Sequence, residues 1–224
     1  MLSADLLAAL EKIAIYIVPA LLGIILHEVA HGALAAYLGD PTAKSLGRLT
    51  LNPLPHVDPL GLLVFVLTSL TSPFVFGWAK PVPVNPRYFA NPAKGMMLVA
   101  LAGPATNFLL AALFALLLWL ALRFLPETAF NSTLTLTFLT ALKAGVFINL
   151  ALAWLNLMPV PPLDGSRILS FFLPGRLAMH YQRIERFGFL LLLLLLFSGL
   201  FNKILVPLLQ GSANVLLAFL DAYS

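Results

Sequence analysis

The sequence predicts an all-α, polytopic membrane protein with about five to six transmembrane helices and a small β-containing or re-entrant insertion. Three observations carry that prediction. Of the 224 residues, 61% are hydrophobic and 10% charged, with a mean hydropathy of +0.98, whereas soluble domains are roughly half apolar and a quarter charged. Apolar stretches approaching or exceeding the ~20 residues needed to cross a bilayer recur along the chain. Most of the 17 prolines fall between those stretches, where regular helix has to stop.

The first helix is expected over about 13–38. It is too long for a signal-peptide core, no basic stretch precedes it, and it carries the most polar cluster of the chain, so it remains as a membrane helix. Gly39-Asp40-Pro41 closes it, with a glycine just past the end and a proline after it. A polar loop follows over 42–58, and its residues 45–51 alternate like a short strand. Residues 59–78 are apolar but interrupted by Thr68, Ser69, Thr71, Ser72 and Pro73, which fits either a span or a re-entrant hairpin. Residues 80–93 hold Pro81, Pro83, Pro86 and Pro92 and cannot be helical throughout. Further helices are expected over about 95–124 and 137–158. A basic amphipathic connector over 167–186 leads to the leucine run 190–196 and a last apolar segment over 204–220.

Charge decides the ambiguous second segment. Most of the 13 Lys and Arg lie in three loops: Lys44 and Arg48; Lys80, Arg87 and Lys94; Arg167, Arg176, Arg183 and Arg186. Loop cations beside apolar spans mark the cytoplasmic side, so these loops should share it. A crossing at 59–78 would put loop 80–94 opposite loop 42–58, whereas a re-entrant hairpin keeps the three together. Although the net charge is +4, the cations form no patch with interleaved aromatics, and no nucleic-acid partner is expected. Cysteine is absent, so any metal must sit on His, Asp or Glu.

His27-Glu28-Val29-Ala30-His31 lies in the middle of the first apolar span. Histidines four apart share a helical face, so both imidazoles can reach one ion, with Glu28 beside a metal-bound water. Zinc acidifies such a water, and a carboxylate can take its proton as it attacks a carbonyl carbon. Ionisable groups at that depth cost a few kcal/mol each unless paired or coordinated, which argues against a chance pentapeptide. One protein ligand remains to be found. Among nine acidic residues, Asp164 stands out, because it follows Pro159, Pro161 and Pro162, which can fold the chain back into the bundle; its other reading is a cap for a helix from Ser166 onward.

These residues resemble the site-2 proteases, a family of intramembrane zinc metalloproteases. The likeness rests on His27-Glu28-x-x-His31, on Gly103-Pro104-x-x-Asn107, and on Asn156-x-x-Pro159 continuing to Asp164-Gly165, and it extends over most of residues 20–170. It implies one Zn²⁺ per chain held by His27, His31 and Asp164, Glu28 as the base that activates water, and Asn156 helping to hold substrate. It further implies a transmembrane protein substrate cleaved within or near the lipid bilayer. The chain is similar to the compact form of the family without PDZ or CBS domains: one domain over 1–224, with a catalytic core at about 13–170 and C-terminal membrane helices at about 180–222. The expected location is the cell membrane, multi-pass, in a prokaryotic plasma membrane, with the zinc site opening towards the cytoplasm. The rival reading is a non-proteolytic membrane metal-binding protein or a metal transporter, although a transporter would spread polar groups along a pathway.

Weaker candidates remain. His56 is either a residue that approaches the metal or orients one of its ligands, or a loop imidazole at the membrane interface. Asn107 and Asn149 read as helix-packing amides, and His180 as interfacial. In the extended segment around Lys80-Pro81-Val82-Pro83-Val84, the two prolines share one parity, so the amides of Val82 and Val84 are expected along one free edge, open to pair with an unwound substrate strand.

Overall fold

The computed structural model describes residues 4–61, 63, 64, 67 and 79–221. The first helix, α1, runs from Ala4 to Tyr37, starting earlier than the apolar pattern suggests. It ends where Gly39 takes a φ of +107° and the N–H groups of Gly39 and Asp40 turn back to the carbonyls of Ala36 and Ala35, a closure that favours glycine. Helix α2 spans Pro92–Phe124. Asn91 caps it by accepting from the Lys94 N–H, and Pro92 sits at its first position, where a missing N–H costs nothing. Helix α3 is Thr133–Leu157. Beyond the proline-rich turn come α4 (Asp164–Phe172), α5 (Gly175–Arg183), a 3₁₀ turn at Ile184–Phe187, α6 (Gly188–Phe197) and α7 (Leu200–Asp221).

Helices α1, α2 and α3 pack on one another, α4 docks against α2, and α7 lies against α3 and α2. Small residues allow the close approach: Ala111, Ala115, Val146, Leu150 and Ala213 form one buried cluster, and a Cβ on Gly145 would come within 2.5 Å of the Phe114 ring. A second cluster of Ala35, Phe89 and Val99 seats the 3₁₀ turn Pro86–Tyr88 and its successor Phe89 between α1 and α2.

Two expectations about architecture are corrected. Among the described residues three helices are long and apolar enough to cross a membrane, within Ile15–Tyr37, Pro92–Phe124 and Thr133–Leu157, so a count of five to six is not supported. The C-terminal apolar stretch is divided at Gly199, whose φ is +71°; the 10 residues of α6 reach about 15 Å, half of a ~30 Å hydrocarbon core. Nor do the described residues contain a sheet. The β-containing insertion reduces to one antiparallel bridge between Val57 and Ala79. Residues 45–51 do not form a strand, because the N–H groups of Ser45, Leu46, Gly47 and Arg48 bond locally to Pro41, Thr42, Lys44 and Ala43 and leave little for a ladder. The expected re-entrant segment 59–78 lies largely outside the described residues.

Candidate active site

His27 and His31 sit one turn apart on the face of α1 that meets α2, and both are buried. Their Nδ1 atoms are spent on α2: His27 Nδ1 lies 2.6 Å from Asn107 Oδ1, and His31 Nδ1 lies 2.7 Å from the Val99 carbonyl. The Asn107 amide is oriented by its own Nδ2, which donates to the Gly23 carbonyl and to Asn149 Oδ1. Both Nδ1 atoms therefore face acceptors and can donate their protons outwards, which leaves each Nε2 as the ring atom able to ligate a metal.

Those two Nε2 atoms are 3.0 Å apart, and Asp164 Oδ2 is 3.2 Å from each. Asp164 is the first residue of α4, and its Oδ2 is buried with no hydrogen-bond partner among the described residues. Three possible ligand atoms thus lie within 4.8 Å of one another. Two imidazoles and one carboxylate, with Nδ1–H groups bonded outwards, form a donor set that fits zinc. The α2 backbone is close as well: a Cβ on Gly103 would come within 2.5 Å of His27 Cε1 and 2.6 Å of His31 Cε1. Only glycine lets α2 lie over both rings.

Glu28, half-buried, turns towards the segment after the Val57–Ala79 bridge. Its Oε2 accepts the Val82 N–H at 2.7 Å. The neighbouring amides are also engaged: Lys80 N–H bonds the His56 carbonyl, and Asn85 N–H bonds Asp40 Oδ2 at 2.6 Å. Asp40 is itself fully buried. Burial would raise its carboxyl, but hydrogen bonds from the Thr42 hydroxyl, the Asn85 N–H and the Thr42 N–H outweigh that and hold it below the usual carboxylate range. The expected free edge of Val82 and Val84 is corrected here. Val82 serves Glu28, so a single amide of the pair, that of Val84, is without a partner among the described residues.

Asn156, near the end of α3, donates its Nδ2 to the Leu152 carbonyl one turn back and keeps its second N–H and its oxygen. His56 is buried; its Nε2 lies 2.9 Å from the Thr50 carbonyl, so it braces its own loop and stays out of the cluster of His27, His31 and Asp164. Asn107, read from sequence as a packing amide, touches His27 directly. The available signal was spacing: Val99, Gly103 and Asn107 recur every four residues and line one face of α2.

A model of peptidase family M50 matches residues 15–198. The chain belongs to peptidase family M50. Among its relatives, the protein named "Putative zinc metalloprotease YwhC" of Bacillus subtilis is 37% identical over 199 residues, covering 88% of this chain and 86% of that one. "Putative zinc metalloprotease Rip2" of Mycolicibacterium smegmatis is 29% identical over 208 residues, covering 90% and 75%. No solved structure matches the chain. This M50 peptidase is an intramembrane zinc metalloendopeptidase of the site-2 class, a multi-pass membrane protein. No observation favours the rival reading of a non-proteolytic metal-binding protein or transporter.

Proposed function

We propose that the protease cleaves transmembrane segments of its substrates with one zinc ion held by His27, His31 and Asp164 and with Glu28 as general base. The observation that carries this reading is the convergence of His27 Nε2, His31 Nε2 and Asp164 Oδ2 within 4.8 Å, next in the chain to Glu28, whose carboxylate has one oxygen uncommitted among the described residues. Zinc supplies Lewis-acid chemistry there, acidifying water and polarising a peptide carbonyl. Glu28 Oε1, the oxygen not bonded to Val82, accepts the proton of the attacking water and passes it to the leaving amine. Asn156 turns its remaining N–H towards the substrate carbonyl as negative charge develops on it. His56 acts at a distance, through the carbonyl that anchors Lys80. A helical substrate hides its carbonyls in its own hydrogen bonds, so it unwinds locally before attack.

The basic loops support a site that opens towards the cytoplasm of a prokaryotic plasma membrane, and residues 1–224 act as one domain, with the core at about 13–170 and the C-terminal helices beyond it. Purified Glu28→Gln is expected to retain one zinc per chain and to leave a model transmembrane peptide uncut. Asn156→Ala is expected to keep zinc and lose on the order of 100-fold in rate. Undiminished turnover by the glutamine variant would remove Glu28 from the role of base, and zinc loss in the alanine variant would contradict the role given to Asn156.

A further inference from the structure

Arg48 is 7% exposed, yet no carboxylate pairs with it among the described residues. Its Nη2 donates to two consecutive carbonyls, those of Lys80 at 2.6 Å and Pro81 at 3.3 Å, and its Nε has no partner. A guanidinium taken out of water without a counter-ion is costly, so what it holds in place matters. The stretch it holds cannot be kept by a strand ladder, because Pro81 and Pro83 have no N–H. Side chains and a loop carbonyl hold it instead: Arg48 on the carbonyls, Asp40 on the Asn85 N–H, and the His56 carbonyl on the Lys80 N–H.

One peptide unit connects this clamp to the reaction. The Pro81 carbonyl accepts from Arg48, and the N–H of the same peptide, that of Val82, donates to Glu28 Oε2 at 2.7 Å. The bond is not among the cis peptides of the described residues, and in a trans peptide the C=O and N–H point in opposite directions. A cation fixed on one side therefore aims the N–H at a carboxylate on the other. The guanidinium also polarises the peptide, which strengthens the N–H as a donor. The packing is tight enough to hold the plane: a Cβ on Gly32 of α1 would meet Val82 Cγ1 at 3.0 Å and Leu49 Cδ2 at 2.7 Å.

We infer that Arg48 is a positioning residue for Glu28, acting through the Pro81–Val82 peptide to fix one carboxylate oxygen and leave the other free for water. The inference rests on Glu28 being the base. A misdirected carboxylate weakens proton transfer without weakening substrate binding, so the effect belongs in kcat and not in KM.

The test uses the purified full chain loaded with zinc and assayed on a model transmembrane peptide, with zinc per chain measured for every variant. Arg48→Gln is expected to lower kcat by roughly 10-fold or more, a part of what a general base contributes, with KM and zinc content unchanged. Arg48→Lys, which restores a cation and a donor, should recover part of the loss. Val82→Pro, which deletes the N–H, should lower kcat in the same way, and Arg48→Gln should add little in the Val82→Pro background, since both act on one hydrogen bond. Wild-type kcat in Arg48→Gln, losses that multiply in the double variant, or a fall in zinc content that accounts for the lost activity would overturn the inference. A rise in KM in place of the fall in kcat would overturn it too, and would mark the segment as a substrate contact. If Arg48→Gln does not fold, the comparison of Arg48→Lys with Val82→Pro decides by the same kcat criterion. Glu28→Gln in the same assay separates the two levels: an active glutamine variant removes the base itself, whereas an inactive one beside fully active Arg48 and Val82 variants removes only the clamp.

Discussion

Asn107 has every polar atom of its side chain committed. Its Nδ2 donates to Gly23 and Asn149, its Oδ1 meets His27 Nδ1 at 2.6 Å, and it is fully buried. Such a group fixes the ring orientation and tautomer of a metal-binding histidine, and removing one typically costs 10–100-fold in metal affinity. Asn107→Ala is therefore expected to weaken zinc binding by about that factor, read by competition with a chelator of known affinity. Unchanged affinity in a folded variant would reduce Asn107 to a packing amide. Asn149 stands one bond further out, accepting from Asn107 and donating to the Gly145 carbonyl.

Helix α2 contributes its backbone to the site as much as its side chains. The Val99 carbonyl, the bare Cα of Gly103 and the Asn107 amide form a stripe four residues apart that lies against His27 and His31. A methyl group at Gly103 has nowhere to go except into the two imidazoles, both backed by rigid helix. Gly103→Ala is expected to lower zinc occupancy and activity together. Gly211→Ala on α7, where nothing lies within 4 Å of the added carbon, is the control that should leave both intact. Equal zinc content in the two variants would mean that α2 can shift away at little cost.

Across the whole molecule, the cluster joins parts of the chain far apart in sequence, since His27 and His31 come from α1 and Asp164 from the start of α4. Zinc bound only by the folded state adds RT ln(1 + [Zn]/Kd) to stability, about 4 kcal/mol at a thousandfold excess over Kd. Treating the detergent-solubilised protease with a chelator should lower its Tm, and added zinc should restore it. Asp164→Ala should blunt that response, because two imidazoles alone bind weakly. A Tm indifferent to zinc in the wild-type chain would count against a metal tie between α1 and α4.

Composition and local spacing determined much of this protein by themselves. Hydropathy is a property of each residue, so the three long membrane helices were legible from it. The pairing of His27 with His31 follows from the helical repeat, and Asp164 was marked by the prolines before it. Tertiary structure alone decided the partners of the buried polar groups, because a donor finds its acceptor on whichever element packs alongside. Thus Val82, read as a free edge, is the partner of Glu28, and Arg48, read as a topology charge, is buried beneath Lys80 and Pro81. Asn107, read as packing, orients His27. The strand expected over 45–51 failed for the same reason: alternation records side-chain character, while the backbone N–H groups there had already been satisfied by the turn that follows Asp40.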